Sequence, residues 1–163
     1  MSGLGSAIAT VGGVGHLRPA PGTWGSLAAL PLGWLVHSLG GFPLFAVATV
    51  AVFVAGLWAT AEVIRGQENH DPSEVVIDEV AGQWVTLWPL SLSAWMMDMN
   101  VLRLWPGILA AFVLFRAFDI AKPGPVGLAD RRGDALGVML DDVIAGALAA
   151  MLVLVLAVAW HGM

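Results

Sequence analysis

Cysteine is absent from all 163 residues. Its absence excludes disulfides, thiolate metal ligands and a cysteine nucleophile of the phosphatase kind. Charge is also scarce. Only 12% of residues are Asp, Glu, Lys or Arg and 58% are hydrophobic, whereas a soluble domain carries about 25% charged residues. A mean hydropathy of +0.83 points to the membrane class. The first 22 residues hold no basic segment followed by an apolar one, so a cleaved signal peptide is not expected. Internal repeats and low-complexity tracts are missing too, and one domain over residues 1–163 is the expected organisation.

What the chain does have is five apolar stretches, at 24–39, 42–64, 80–95, 104–120 and 143–160. Their lengths bracket the roughly 17 to 25 residues with which a helix crosses a bilayer. Pro31 is expected to kink or break the first, and Gly40-Gly41 to turn the chain before the second. The fold class that follows is all-α: a polytopic membrane helical bundle of about five helices, with the acidic residues gathered at the cytoplasmic ends. Arg18, Arg65, Lys122, Arg131 and Arg132 fall at one end with Arg116 near it, and only Arg103 falls at the other. The positive-inside rule makes the crowded end cytoplasmic. Trp95, Trp105 and Trp160 fall at the opposite ends, as an outer interfacial belt.

The acids come in doublets. Asp78-Glu79 opens the third stretch, Arg116 and Asp119 close the fourth, and Asp141-Asp142 opens the last. Up-down threading brings all three sets to one surface. Helix capping and the macrodipole explain a single acid at a helix start, Asp78 or Asp141 alone. They do not explain adjacent like charges, which repel unless a cation lies between them. A hard divalent ion held by oxygen is the simplest such cation, and Mg²⁺ is the expected cofactor. Asp78, Glu79, Asp141 and Asp142 are therefore the candidate metal ligands, and with Asp119 the candidate catalytic residues. Glu74 lies at i, i+4 from Asp78, on one face if the helix starts early enough, and is a secondary candidate with Asp71. His70 is expected to hydrogen-bond within its loop.

Arg116 and Asp119 are spaced i, i+3, close enough to pair on a helix. Pro123 should end that helix at Lys122, leaving an ammonium beside the acids. The plain reading is a satisfied ion pair and a snorkelling lysine. The functional one is an anionic substrate held by Arg116 and Lys122, and phosphate suits such a mixture of cations and metal. Residues 18–26 open the first helix, whose N-terminus and Thr23 hydroxyl also favour an anion. Gly12-Gly13-Val14-Gly15 lacks the βαβ context of a nucleotide fingerprint.

Three blocks, in this order and spacing, resemble the phosphatidylglycerophosphatase A family. They are Pro21-Gly22-Thr23 through Gly25-Ser26-Leu27; Val76-Ile77-Asp78-Glu79 through Gly82; and Phe115-Arg116 with Asp119 and Lys122-Pro123, followed by residues 137–142 and Ala145-Gly146. The resemblance implies a multi-pass enzyme of the bacterial inner membrane, its site facing the cytoplasm. The implied reaction is Mg²⁺-dependent removal of the terminal phosphate of phosphatidylglycerophosphate, giving phosphatidylglycerol. The matching positions are Thr23, Asp71, Asp78, Glu79, Arg116, Asp119, Lys122, Asp130, Asp141 and Asp142. Thr23, Arg116 and Lys122 are the expected substrate contacts, and Asp130 joins the secondary candidates. The expected partners are a phospholipid and the bilayer, not nucleic acid. One departure is Gly133-Asp134-Ala135-Leu136-Gly137, with one glycine at each end where relatives pair two; Asp134 adds a charge there.

Metal-activated water is the expected nucleophile, with an aspartyl-phosphate route as its rival. Two other classes compete. A CDP-alcohol type head-group transferase would need an aspartate run with Asp-Gly and Ala-Arg pairs, which no single stretch holds. A non-enzymatic membrane protein that binds or transports a cation would bring polar groups to mid-membrane, where only Thr49, Thr86 and Ser91 are found.

Overall fold

The computed structural model describes residues 3–65 and 72–161. His70, Asp71 and the Trp160 side chain fall outside the described residues. Among those described there are six α-helices and no strand: α1 (Gly3–Ala9), α2 (Pro21–Ile64), α3 (Ile77–Met96), α4 (Trp105–Ala121), α5 (Pro125–Asp130) and α6 (Ala135–His161). Short 3-10 turns lie at Val14–His16 and Val101–Leu104. The two short helices, α1 and α5, were not expected.

α2 is interrupted once, at Gly40 (φ −157°, ψ 19°) and Gly41 (φ 63°, ψ −159°). Pro31 lies inside the helix without breaking it, which corrects the expectation from sequence. Membrane helices tolerate proline where neighbours and local adjustment satisfy the freed carbonyl, whereas reversal of the chain needs the positive φ that glycine supplies. The two arms of α2, 21–39 and 42–64, flank α3. On the first arm, Ala29 O accepts from Trp84 Nε1–H at 2.8 Å and His37 Nδ1 lies 2.7 Å from Ser91 Oγ, and in the turn that follows Gly41 abuts the Trp95 ring. On the second arm the order reverses: Thr49 Oγ1 accepts from Trp88 Nε1–H at 3.2 Å, and Gly56 approaches Ile77. The arms are therefore a hairpin laid along α3.

α6 runs parallel to α3 and crosses it closely. A side chain on Gly146 would strike the Gly82 carbonyl, and one on Gly82 would strike the Asp142 carbonyl and the Phe115 ring. Thr86 Oγ1–H reaches both Gly82 O (3.0 Å) and Gly146 O (3.2 Å). Lipid gives no hydrophobic drive to pair two apolar helices, so small residues and such hydrogen bonds carry their association. α4 is antiparallel to α3, with Gly107 against Leu90 and Phe115 against Gly82.

The outer surface is apolar: Leu39, Val47, Val54, Leu109, Val113, Ile120, Val155 and Val158 are each more than half exposed. Pro21–Ile64, Val101–Ala121 and Ala135–Ala159 are long and apolar enough to cross a membrane, and such a surface belongs in lipid. α3 was expected as a span and is not among these three. It is enclosed by α2, α4 and α6 and buries Gln83, Thr86 and Ser91, so its side chains face protein more than lipid.

Candidate active site

The segment before α3 is pinned by its backbone. Val75 N–H donates to Pro72 O and Val76 N–H to Ala9 O, each at 2.9 Å. α3 consequently starts at Ile77 with Asp78 and Glu79 in its first turn. Glu74 precedes the helix in a turn, so the shared helical face with Asp78 does not exist. α6 starts earlier than its apolar stretch. Asp134 accepts from Gly137 N–H at 2.7 Å, an N-cap, and the helix runs from Ala135. Asp141-Asp142 therefore lies two turns inside α6 and does not open it. Capping is thereby removed as an explanation of that doublet.

The Gly82–Gly146 crossing decides what meets. Asp78 and Asp142 each lie one turn before these glycines, so the close approach of the backbones brings both carboxylates together. Antiparallel α4 delivers Arg116 and Asp119 to the same end. It stops at Ala121, and Lys122 takes a left-handed conformation (φ 45°, ψ 52°). Asp78, Glu79, Arg116, Asp119, Lys122, Asp141 and Asp142 then line one pocket of about 250 Å³, together with Pro21 and Gly22. Oxygens of Asp78, Glu79 and Asp142 lie within 4.8 Å of one another, as do those of Asp119, Asp141 and Asp142.

The two cations hold opposite walls. Arg116 Nη1 pairs with Asp119 Oδ2 at 2.6 Å, reaches Glu79 Oε1 at 4.0 Å and donates to Ser26 Oγ at 3.4 Å. Lys122 Nζ bonds Asp141 Oδ2 at 2.7 Å and also contacts Asp130. Burial works against the Lys122 charge, but the hydrogen bonds to Asp130 and Asp141 outweigh it and hold the ammonium above its usual pKa. Gly22 leaves room at the rim, because a Cβ there would meet Glu79 Oε1 and Arg116 Nη1.

Among the described residues, the buried side-chain atoms without a hydrogen-bond partner are Glu79 Oε2, Asp142 Oδ2, Arg116 Nε and both polar atoms of Gln83. All belong to the pocket or to the turn beneath it. Buried polar atoms are satisfied as a rule. Carboxylate oxygens left without donors, beside further carboxylates, are a donor set that fits a hard divalent ion such as Mg²⁺.

Other candidates stand further off. Asp130 is exposed and touches the site through Lys122; Thr23 sits in the first turn of α2 but outside the pocket wall. Asp71 lies outside the described residues. Ser26 and Gln83 were not expected at the site. Ser26 is fully buried, one turn after Gly22, and Gln83 is fully buried, one turn after Glu79; that i, i+4 spacing was the available signal.

The family model described as phosphatidylglycerophosphatase A matches residues 7–157. The chain belongs to the phosphatidylglycerophosphatase A family. A relative of that name from Haemophilus influenzae is 38% identical over 143 residues, covering 86% of this chain and 81% of its own. Another of that name, from Escherichia coli, is 32% identical over 131 residues, covering 80% and 70%. A Bacteroides thetaiotaomicron protein, provisionally named a phosphatidylinositol-3-phosphatase, is 36% identical over 152 residues, covering 91% and 90%. No solved structure matches the chain. Within this phosphatidylglycerophosphatase A family member, the pocket carboxylates come from two of the three blocks that carried the resemblance and the Pro21-Gly22 rim from the third.

Proposed function

We propose that this chain, as a single membrane-embedded domain, hydrolyses phosphatidylglycerophosphate to phosphatidylglycerol and inorganic phosphate with Mg²⁺, from a pocket facing the cytoplasm at the bacterial inner membrane. The observation that carries this reading is the convergence of five carboxylates, an arginine and a lysine in one pocket at one end of an apolar bundle. Family membership supports the phosphatase activity.

Asp78, Glu79, Asp141 and Asp142, with Asp119 beside them, would hold the metal. When bound, the ion supplies charge neutralisation at the phosphoryl group and lowers the pKa of water enough for it to act as the nucleophile. The remaining work falls to the chain's own residues. Arg116 uses Nη1 toward Asp119 and keeps Nε without a partner, so it has donors left for a phosphate oxygen. Lys122 sits between Asp130 and Asp141 and presents a second positive charge to the same volume. The start of α2 adds backbone N–H groups at the rim, as helix N-termini do for anions. Fixed donors of this kind neutralise charge without reorganising as the phosphoryl group transfers.

The test is phosphate release by the purified chain from phosphatidylglycerophosphate, with and without Mg²⁺, beside glycerol phosphate and phosphatidylinositol 3-phosphate. Turnover of phosphatidylglycerophosphate alone, abolished by a chelator and restored by Mg²⁺, is the expected result. Preference for the inositol lipid would move the substrate assignment toward the third relative. Turnover unaffected by chelation would overturn the metal.

A further inference from the structure

At the end remote from the carboxylates, α4 and α6 leave an open groove of about 500 Å³, lined by Leu104, Gly107 and Ala110 on one side and Val153, Leu156 and Ala157 on the other, with Arg103 at its mouth. Two observations about Arg103 are independent of that shape. It is the one Lys or Arg of the seven in the chain that lies at this end. It also makes no ion pair among the described residues, even though Asp98 lies only five residues earlier. Neighbouring Trp105 is 65% exposed, the placement of an indole at the level of lipid head groups.

We propose that this groove seats an anionic glycerophospholipid of the surrounding bilayer, one acyl chain lying along Gly107 and Ala110 and the head-group phosphate resting on Arg103. The groove wall is apolar, so its occupant needs a long apolar part; the guanidinium at the mouth needs an anion at that part's end, and phosphate matches its planar donors. A soluble anion leaves the groove unfilled. A zwitterionic lipid fills it but brings its own cation to Arg103. The seat is separate from the carboxylate pocket and takes no part in the hydrolysis.

The experiment places the full-length chain in vesicles containing a trace of phosphatidylglycerol or phosphatidylethanolamine with a photoactivatable acyl chain, and maps the labelled peptides by mass spectrometry. Phosphatidylglycerol should label residues 103–110 and 153–157 about fivefold more than phosphatidylethanolamine, the equivalent of the ~1 kcal/mol that one basic side chain contributes near anionic lipid. Arg103→Gln should equalise the two lipids at these peptides, and Ala110→Phe should suppress labelling by both while phosphate release persists. Equal labelling of the wild-type chain by both lipids, a preference that survives Arg103→Gln, or labelling undiminished by Ala110→Phe would each overturn the assignment.

Discussion

Asp142 belongs to both carboxylate groups that could hold an ion, and its Oδ2 is buried without a donor. Asp142→Asn keeps the shape and removes the charge, so phosphate release should fall by on the order of 100-fold or more while the helical circular dichroism is unchanged. Near-normal turnover by this variant would remove Asp142 from the reaction. Gly22→Ala is the complementary test at the rim. Its Cβ would push against Glu79 and Arg116, so activity should drop steeply although no charge has been altered. Asp134 belongs to a different category, because it caps α6 and pairs with Arg132 at 3.0 Å. Asp134→Ala should lower stability by about 1 kcal/mol, the usual contribution of an N-cap. The hydrogen bonds from Arg132 and from Gly137 N–H lower the Asp134 pKa. A lowered folded value means that the stabilisation is complete above the ordinary value of 3.8 and fades as pH falls through the folded value. The difference in melting temperature between wild type and Asp134→Ala should therefore shrink only in that acid window; a constant difference down to pH 2 would exclude ionisation of Asp134 as its source.

Among the elements, the joint between α3 and α6 carries the most weight, since Gly82 and Gly146 set the distance between the carboxylates one turn before them. Gly146→Leu overpacks this contact, and overpacking costs roughly 1–3 kcal/mol. It should lower the melting temperature in detergent and abolish activity without touching a pocket residue, whereas Leu154→Ala on the lipid-facing side of α6 should do neither. The acidic doublets and the Arg116–Asp119 pair were legible in the sequence because unlike and like charges at short spacing have few explanations in an apolar chain. The start of α6 was missed although residues 135–140 are apolar, because the Asp141-Asp142 doublet interrupts the apolar run and was taken to open it; the signal was Asp134 three residues before Gly137, a cap read instead as an extra charge. Glu74 was misplaced because Val75 closes a local turn onto Pro72 and Val76 bonds to distant Ala9, a tertiary partner that no local pattern announces. Pro31 failed as a breaker because a membrane helix accommodates proline where its neighbours satisfy the freed carbonyl, and the chain reverses instead at Gly40-Gly41, where Gly41 takes a positive φ beside Trp95.

For the whole molecule, the cysteine-free sequence turns orientation into a direct measurement. Met97 is 70% exposed at one end, and Arg131 is exposed near the other. Met97→Cys should react with an impermeant maleimide in intact cells, and Arg131→Cys only after the membrane is opened. Both thiols reacting from one side would overturn the proposed threading.

The pocket itself holds five carboxylates against two cations, a formal excess of three negative charges. A phosphate monoester is also an anion, so the cleft with its carboxylates ionised and no cation among them repels the very group it would cleave. On the proposed reading the reactants arrive in a fixed sequence, the divalent ion leading and the lipid following. Initial rates at varied Mg²⁺ and lipid should then trace an ordered pattern, in which saturating lipid cannot displace the need for metal.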